Sequence, residues 1–320
     1  MSNGRAAGLV LAILSAAAFS TSGPLASSLI ATGWTPGAAV VARMVLAATV
    51  LTVPAVLALR GRWSLLRAGV GTVLVYGVVA VAGAQFAYFN AVSHLSVGVA
   101  LLLEYQGVVL VVAWLWLRHG RRPAPLVLAG SVVALAGLAL VLDVLGGLRL
   151  DGIGVVWGLV AAVGLATYFV LAGDDTQPLP PLVVSCAALW VGAAVMLAGG
   201  LAGLVPLRTA TAPVELAGQR TSWLVPVLGL AVVAAAFGYV SGILGARLLG
   251  ATLASFVGLS EVLFAVAFAW LFIAQTPTVL QAVGGAVVVA GVALVRLGEL
   301  RGTEAPRGEV ALEERVGTPV

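Results

Sequence analysis

Gly130-Ser131-Val132-Val133-Ala134-Leu135-Ala136-Gly137-Leu138-Ala139-Leu140-Val141 returns late in the chain as Gly284-Gly285-Ala286-Val287-Val288-Val289-Ala290-Gly291-Val292-Ala293-Leu294-Val295. Seven of the twelve positions are identical at an offset of 154 residues. Just upstream, Ala113-Trp114-Leu115-Trp116 returns as Ala269-Trp270-Leu271-Phe272 at an offset of 156, so a two-residue gap separates the two matches. Self-similarity at about half the chain length marks an internal duplication. A bilayer core of ~30 Å takes ~20 helical residues, and working outward from the repeated stretch gives ten apolar runs of about that length: 8–30, 38–58, 68–91, 96–117, 124–142, 152–172, 182–205, 223–246, 252–273 and 278–296. Each copy therefore holds five spans. Five is odd, so the second copy enters the membrane upside down relative to the first.

The expected fold is an all-α integral membrane protein of ten transmembrane helices built as two inverted five-helix repeats. Residues 1–150 form the first repeat, 151–296 the second, and 297–320 a charged cytoplasmic tail expected to be disordered. Composition agrees, with 62% apolar residues, 9% charged residues and a mean hydropathy of +1.15 over 320 residues. The first run follows Arg5 and imitates a secretion signal, but it exceeds the 7–15 residues of a signal core and reads as a mature span.

Charge fixes orientation and excludes several functions. All 16 basic residues are Arg, spread between apolar runs rather than along one stripe, so no nucleic-acid partner is expected. Without Lys there is no phosphate-binding P-loop, and ATP-driven transport by this chain alone is ruled against. One Cys (Cys186) and two His (His94, His119) leave no basis for a metal site, and no cofactor is expected. With a cytoplasmic N-terminus, twelve loop or terminal Arg lie inside and three, Arg149, Arg208 and Arg220, outside. The positive-inside rule thus places both termini in the cytoplasm and the chain in the cell membrane. Trp34, Trp63, Trp114, Trp116 and Trp223 fall near span ends, where an indole prefers the headgroup region.

Taken together, the repeated Ala-Trp-Leu-Trp/Phe segments ahead of a Gly-rich helix, Arg43 early in the second span, and Leu259-Ser260-Glu261-Val262-Leu263-Phe264 resemble the EamA-type branch of the drug/metabolite transporter superfamily over residues 8–296. The last stretch is similar to the family's Leu-Glu-Pro-Val-Phe, with Val262 where Pro is usual; the first half has Leu103-Glu104-Tyr105. Arg118-His119 and Ala274-Gln275 stand where the family often has Gly-Glu. The resemblance implies a ten-helix bundle and export or exchange of amino acids, drugs or other metabolites.

A charge at a membrane helix centre costs ~2.5–3.5 kcal/mol on insertion scales, so intramembrane charges are candidate functional groups. Three stand out: Arg43, Glu104 and Glu261. Each carboxyl lies ~12–14 Å into its span at 1.5 Å per residue, near the midplane and at almost equivalent places in the two repeats. There a proton relieves the cost of the charge, which suits proton coupling; a neutral carboxyl satisfied by a neighbouring helix is the plainer alternative. Arg43 either holds an anionic substrate group, pairs with Glu104, or snorkels to the surface. Ser20 and Thr21 precede Gly23-Pro24 in mid-span, where Pro removes a backbone donor and a kink or local unwinding is expected, which either exposes backbone groups to a cavity or leaves them re-satisfied by the neighbouring Ser and Thr. Gln85 and Tyr88 share a face, and Tyr168 and Tyr239 add hydroxyls in the second half. The stripes Gly130, Ala134, Gly137 and Gly284, Val288, Gly291 suit close helix packing. The functional expectation is a secondary transporter that moves a small-molecule substrate by alternating access, exporting or exchanging it against protons. A channel or structural membrane protein is the alternative. No catalytic motif points to an enzyme.

Overall fold

The computed structural model describes residues 2–95, 97–120, 122–142, 151–174, 176–216, 218–273 and 278–304. The expected tail from Ala305 onward, Arg121, Arg149 and the 274–277 loop lie outside them. Among the described residues nine helices are long and apolar enough to cross a bilayer. In chain order they are α1 (Gly4–Ile30), α2 (Pro36–Leu59), α3 (Val70–Ala91), α4 (Val99–Arg118), α6 (Gly152–Ala172), α7 (Pro181–Leu201), α8 (Leu224–Leu249), α9 (Ala251–Phe268) and α10 (Val279–Leu300), with the shorter apolar helix α5 (Pro125–Val141) between α4 and α6.

Local chemistry explains several boundaries. Thr35 caps α2 by accepting the Ala38 N–H, with Pro36 at the first helical position, where its missing donor costs nothing. Asp151 does the same for α6 through the Ile153 N–H at 3.1 Å. Gly250, at φ +86°, is the single residue between α8 and α9 and takes a turn that a side chain would strain. Helix α7 ends at Leu201, short of the expected 205, because Gly203 at φ +74° turns the chain and the Leu204 N–H returns to the Gly199 carbonyl. The helix of α10 runs on to Glu304, past the span end expected at 296.

The pairings carry an internal regularity. Helix α1 packs on α8 and α6 on α3; α1 on α9 and α6 on α4; α2 on α8 and α7 on α3; α2 on α7; α5 on α10. Exchanging each helix for the one five places along turns this set into itself. Two irregularities obey the same exchange: Tyr76–Gly83 of α3 and Gly229–Phe237 of α8 are π-helical, a rare form concentrated at functional sites.

The repeated stretch quoted above is where α5 and α10 meet. A Cβ on Gly137 would run into the Val288 N–H and the Gly284 carbonyl, one on Gly284 into Val141 and Gly137, and one on Gly291 into the Ala134 backbone. Lipid tails are as apolar as Leu, so helices in a bilayer associate through such close van der Waals contact rather than by escaping water.

One expectation is corrected on the face that carries residues 31–35 and 202–223. The loop after α7 is not bare connection but holds a hairpin, β1 (Val214–Leu216) antiparallel to β2 (Gln219–Thr221). Trp34 is 5% exposed rather than spread in the headgroup layer; its indole N–H donates to the Ala210 carbonyl at 2.6 Å and its ring lies 5.8 Å from Trp223. Thr35 donates its hydroxyl to Pro206 at 2.6 Å and its N–H to Arg208 at 3.0 Å, so the loop is pinned to the α1–α2 turn. Trp63, Trp114 and Trp116 remain exposed near helix ends.

Candidate functional site

A central cavity of about 1010 Å³ gathers side chains from both halves of the chain. Eight of the nine residues singled out from the sequence line it: Ser20, Arg43, Gln85, Tyr88, Glu104, Tyr168, Tyr239 and Glu261. Thr21 does not. Its hydroxyl turns back to the Ala18 carbonyl at 2.7 Å, and Ser22, one residue on, faces the cavity instead.

The polar groups sit where helices are interrupted. Helix α1 breaks at Thr21, between segments Ser2–Ser20 and Ser22–Ile30, because Pro24 has no N–H to offer the Ser20 carbonyl. Helix α4 breaks at Tyr105-Gln106 immediately after Glu104. Helix α9 breaks at Leu259, just before Ser260-Glu261. The two carboxyls therefore flank matching breaks from opposite sides. The Tyr105 hydroxyl is a hydrogen-bonding neighbour of the Glu261 carboxyl, and Tyr88 is within electrostatic reach of both acids.

Arg43 is 7% exposed, which excludes snorkelling, and it does not pair with Glu104: the one ion pair among the described residues joins His94 to Asp151. One Arg43 amino group donates to Ser22 Oγ at 3.4 Å, while its buried Nε has no partner. A buried guanidinium with a spare donor facing a cavity is suited to an incoming anionic or carbonyl group.

The cavity is lopsided. Toward the face of residues 31–35 and 202–223 its lining is exposed or half-buried, as at Ile30, Pro36, Leu101, Ala265 and Gln281. Toward the face of Arg5, Arg118 and Gly250 the lining is buried, at Ala12, Ser15, Ala16 and Ala254. There Tyr168 lies 5.6 Å from Tyr76, 5.9 Å from Tyr239 and 4.9 Å from Phe169, and Tyr239 lies 5.1 Å from Phe19. These rings make a floor. Below it Gly8 touches Leu248 and Leu249, and Gly173 meets the Ala251 backbone. Among the described residues the lining is thus exposed or half-buried toward one face and buried toward the other.

At the open face His94 Nδ1 lies 2.7 Å from Asp151 Oδ2, joining the end of α3 to the start of α6. The Ile153 N–H, and then His94, hold the Asp151 carboxyl below its usual range. Among the described residues no group of three or more His, Cys, Asp or Glu is placed to hold a metal ion.

Sequence reasoning passed over Tyr105, Phe19, Ser15 and Tyr76. A hydroxyl in an apolar run was the available signal for three of them, and Tyr105 also adjoins Glu104. Phe19 had none.

The family model of EamA-like transporters matches the chain twice, over residues 6–143 and 152–297. The chain belongs to the EamA-like transporter family. The family unit thus occurs twice in the chain, on either side of residues 144–151. A solved structure titled only as the crystal structure of a protein shares the fold with this EamA-like chain, at a TM-score of 0.75 over 94% of this chain and 99% of its own, with 22% identity. A comparison with curated proteins found no match.

Proposed function

We propose that this EamA-like protein is a secondary carrier of the cell membrane that moves a small metabolite by alternating access, with the cavity captured open to the outside. The single observation that carries the reading is a midplane cavity holding Arg43, Glu104 and Glu261, reached from one face and floored by tyrosines at the other. Ten spans, with α5 counted among them, form two inverted repeats split near residue 150. The five-place exchange of helix pairings and the paired π-helical segments support that layout, for a two-fold axis in the membrane plane generates both. Both termini are cytoplasmic. Among described residues outside the cavity, Arg5, Arg60, Arg62, Arg67, Arg118, Arg122, Arg247 and Arg296 belong to the closed face and only Arg208 and Arg220 to the open one. Export or exchange is coupled to protons through the two carboxyls, and no bond of the substrate is made or broken.

Two experiments test this. With Cys186→Ala and a single cysteine at Thr211 or Thr318, an impermeant maleimide on intact cells labels only the first; labelling of Thr318→Cys alone overturns the orientation. Metabolites that accumulate in cells lacking the chain are then tested in proteoliposomes. A carrier gives flux that saturates with substrate concentration, whereas flux that rises linearly sinks the carrier reading in favour of a pore.

A further inference from the structure

Two offsets relate the halves helix by helix. Gly8, Val10, Ala16 and Thr21 of α1 answer to Gly154, Val156, Ala162 and Thr167 of α6 at 146 residues. Val78, Val79, Ala80 and Leu95 around α3 answer to Val232, Val233, Ala234 and Leu249 at 154, and Ala100 of α4 to Ala254 of α9. Contacts obey the same offsets. Gly8 lies against Leu248 and Leu249, and Gly154 against His94 and Leu95. Ala12 clusters with Val257, and Gly158 lies against Leu103.

At three places the correspondence fails, two of them in the cavity lining. Beneath the cavity Gly242 touches Tyr168, Gly258 touches Phe169 and Gly173 touches Ala251, tying α6 to α8 and α9. The counterparts of these pairs are Tyr88 with Ser22, Glu104 with Gly23, and Val97 with Ser27. In this structure Ser22 is bonded to Arg43, Gly23 has nothing beyond its own stretch of helix within 4 Å of where its Cβ would stand, and Ser27 is exposed. Ser22–Ile30 packs instead on β1, the start of α8 and α2. Helix α6 is continuous through the matching stretch, whereas α1 is broken by Thr21 and Pro24, which gives its outer half a hinge that α6 lacks.

We infer that Ser22–Ile30 is the outer gate of the cavity, swinging about the Ser20–Pro24 break to seat Ser22 on Tyr88, Gly23 beside Glu104 and Ser27 on Val97. Resting on the carrier reading, it names the moving part and its seat. Helical and packed interfaces switch between discrete arrangements, and inverted repeats exchange theirs across the midplane. The gate also senses cargo. The Arg43 amino group that holds Ser22 in the open position is the one an anionic group of the substrate would claim, freeing the half-helix to close.

The test uses the full chain with Cys186→Ala, Ala16→Cys in the buried part of the cavity lining, and the pair Ser27→Cys and Val97→Cys. A Cβ on Gly173 would stand 2.8 Å from the Ala251 Cβ, closer than two side chains allow, so the closed gate brings 27 and 97 together at the wider spacing of residues that carry a Cβ, which a disulfide spans. Oxidation is expected to join the pair and slow maleimide labelling of Ala16→Cys at least ~10-fold, reversed by reductant. Failure to join while each single cysteine labels readily overturns the gate, as does joining that leaves Ala16→Cys labelling unchanged. Should the pair disturb folding, Ser27→Trp at the exposed position serves instead: labelling of Ala16→Cys stays at the parent rate while flux falls at least ~10-fold, and undiminished flux overturns the gate. Closure without saturable flux would leave the gate standing and sink the carrier reading; saturable flux without closure does the reverse.

Discussion

Glu261→Gln abolishes net substrate flux driven by a pH gradient in proteoliposomes while the protein still folds and still binds its substrate. Gln keeps the size and hydrogen-bonding capacity of the side chain, including its contact with Tyr105, but cannot take up and release a proton. Glu261 is the carboxyl expected to matter most, because Arg43 is within its electrostatic reach and Tyr105 is a hydrogen-bonding neighbour. Proton uptake there changes the charge that Arg43 feels, and with it the pull on a substrate anion. Glu104→Gln is expected to weaken pH-driven flux less, since Glu104 has no comparable partner on Arg43. Full pH-driven transport by both single variants would show that neither carboxyl is indispensable, and full transport by the double variant would remove proton coupling from this cavity altogether.

The second large effect concerns assembly. Gly291→Leu forces a side chain into the Ala134 backbone at the α5–α10 crossing, where no flexible group is available to yield. Overpacking of this kind costs ~1–3 kcal/mol even where side chains can shift, so the melting temperature in detergent should fall by ~3–10 °C. Gly285→Leu on the same helix is the matched control. The nearest atom to its Cβ is the tip of Leu263 at 3.3 Å, a flexible side chain, and a small change is expected. Equal melting of the two variants would show that close approach at Gly291 does not hold these helices together.

Length and apolarity made the spans legible, because a bilayer demands both, and they fix the helices to within a few residues in most cases. The duplication was legible for another reason: the stripe Gly130, Gly137, Gly284, Gly291 is constrained on both copies by mutual contact. The carboxyls and Arg43 stood out by cost alone. What the sequence hid is what depends on partners across the fold. Trp34 reads as an interfacial indole until the 202–223 loop is seen to fold over it, and nothing in hydropathy distinguishes a pinned hairpin from a plain loop. Thr21 and Ser22 are equivalent polar residues beside a Pro, and only the break decides which one faces inward. The π-helical segments leave no sign in residue type. The tyrosine floor draws Tyr76 from α3, Tyr168 from α6 and Tyr239 from α8, a convergence that spacing along one helix cannot reveal.

The hairpin of β1 and β2 rests on the same half-helix that the closing motion must displace. That makes the short loop a mechanical handle outside the lipid. Whatever grips it from the aqueous side acts on the throughput of the protein without entering the cavity or resembling its cargo, so inhibition at a distance is open to a folded binder too large to cross the membrane.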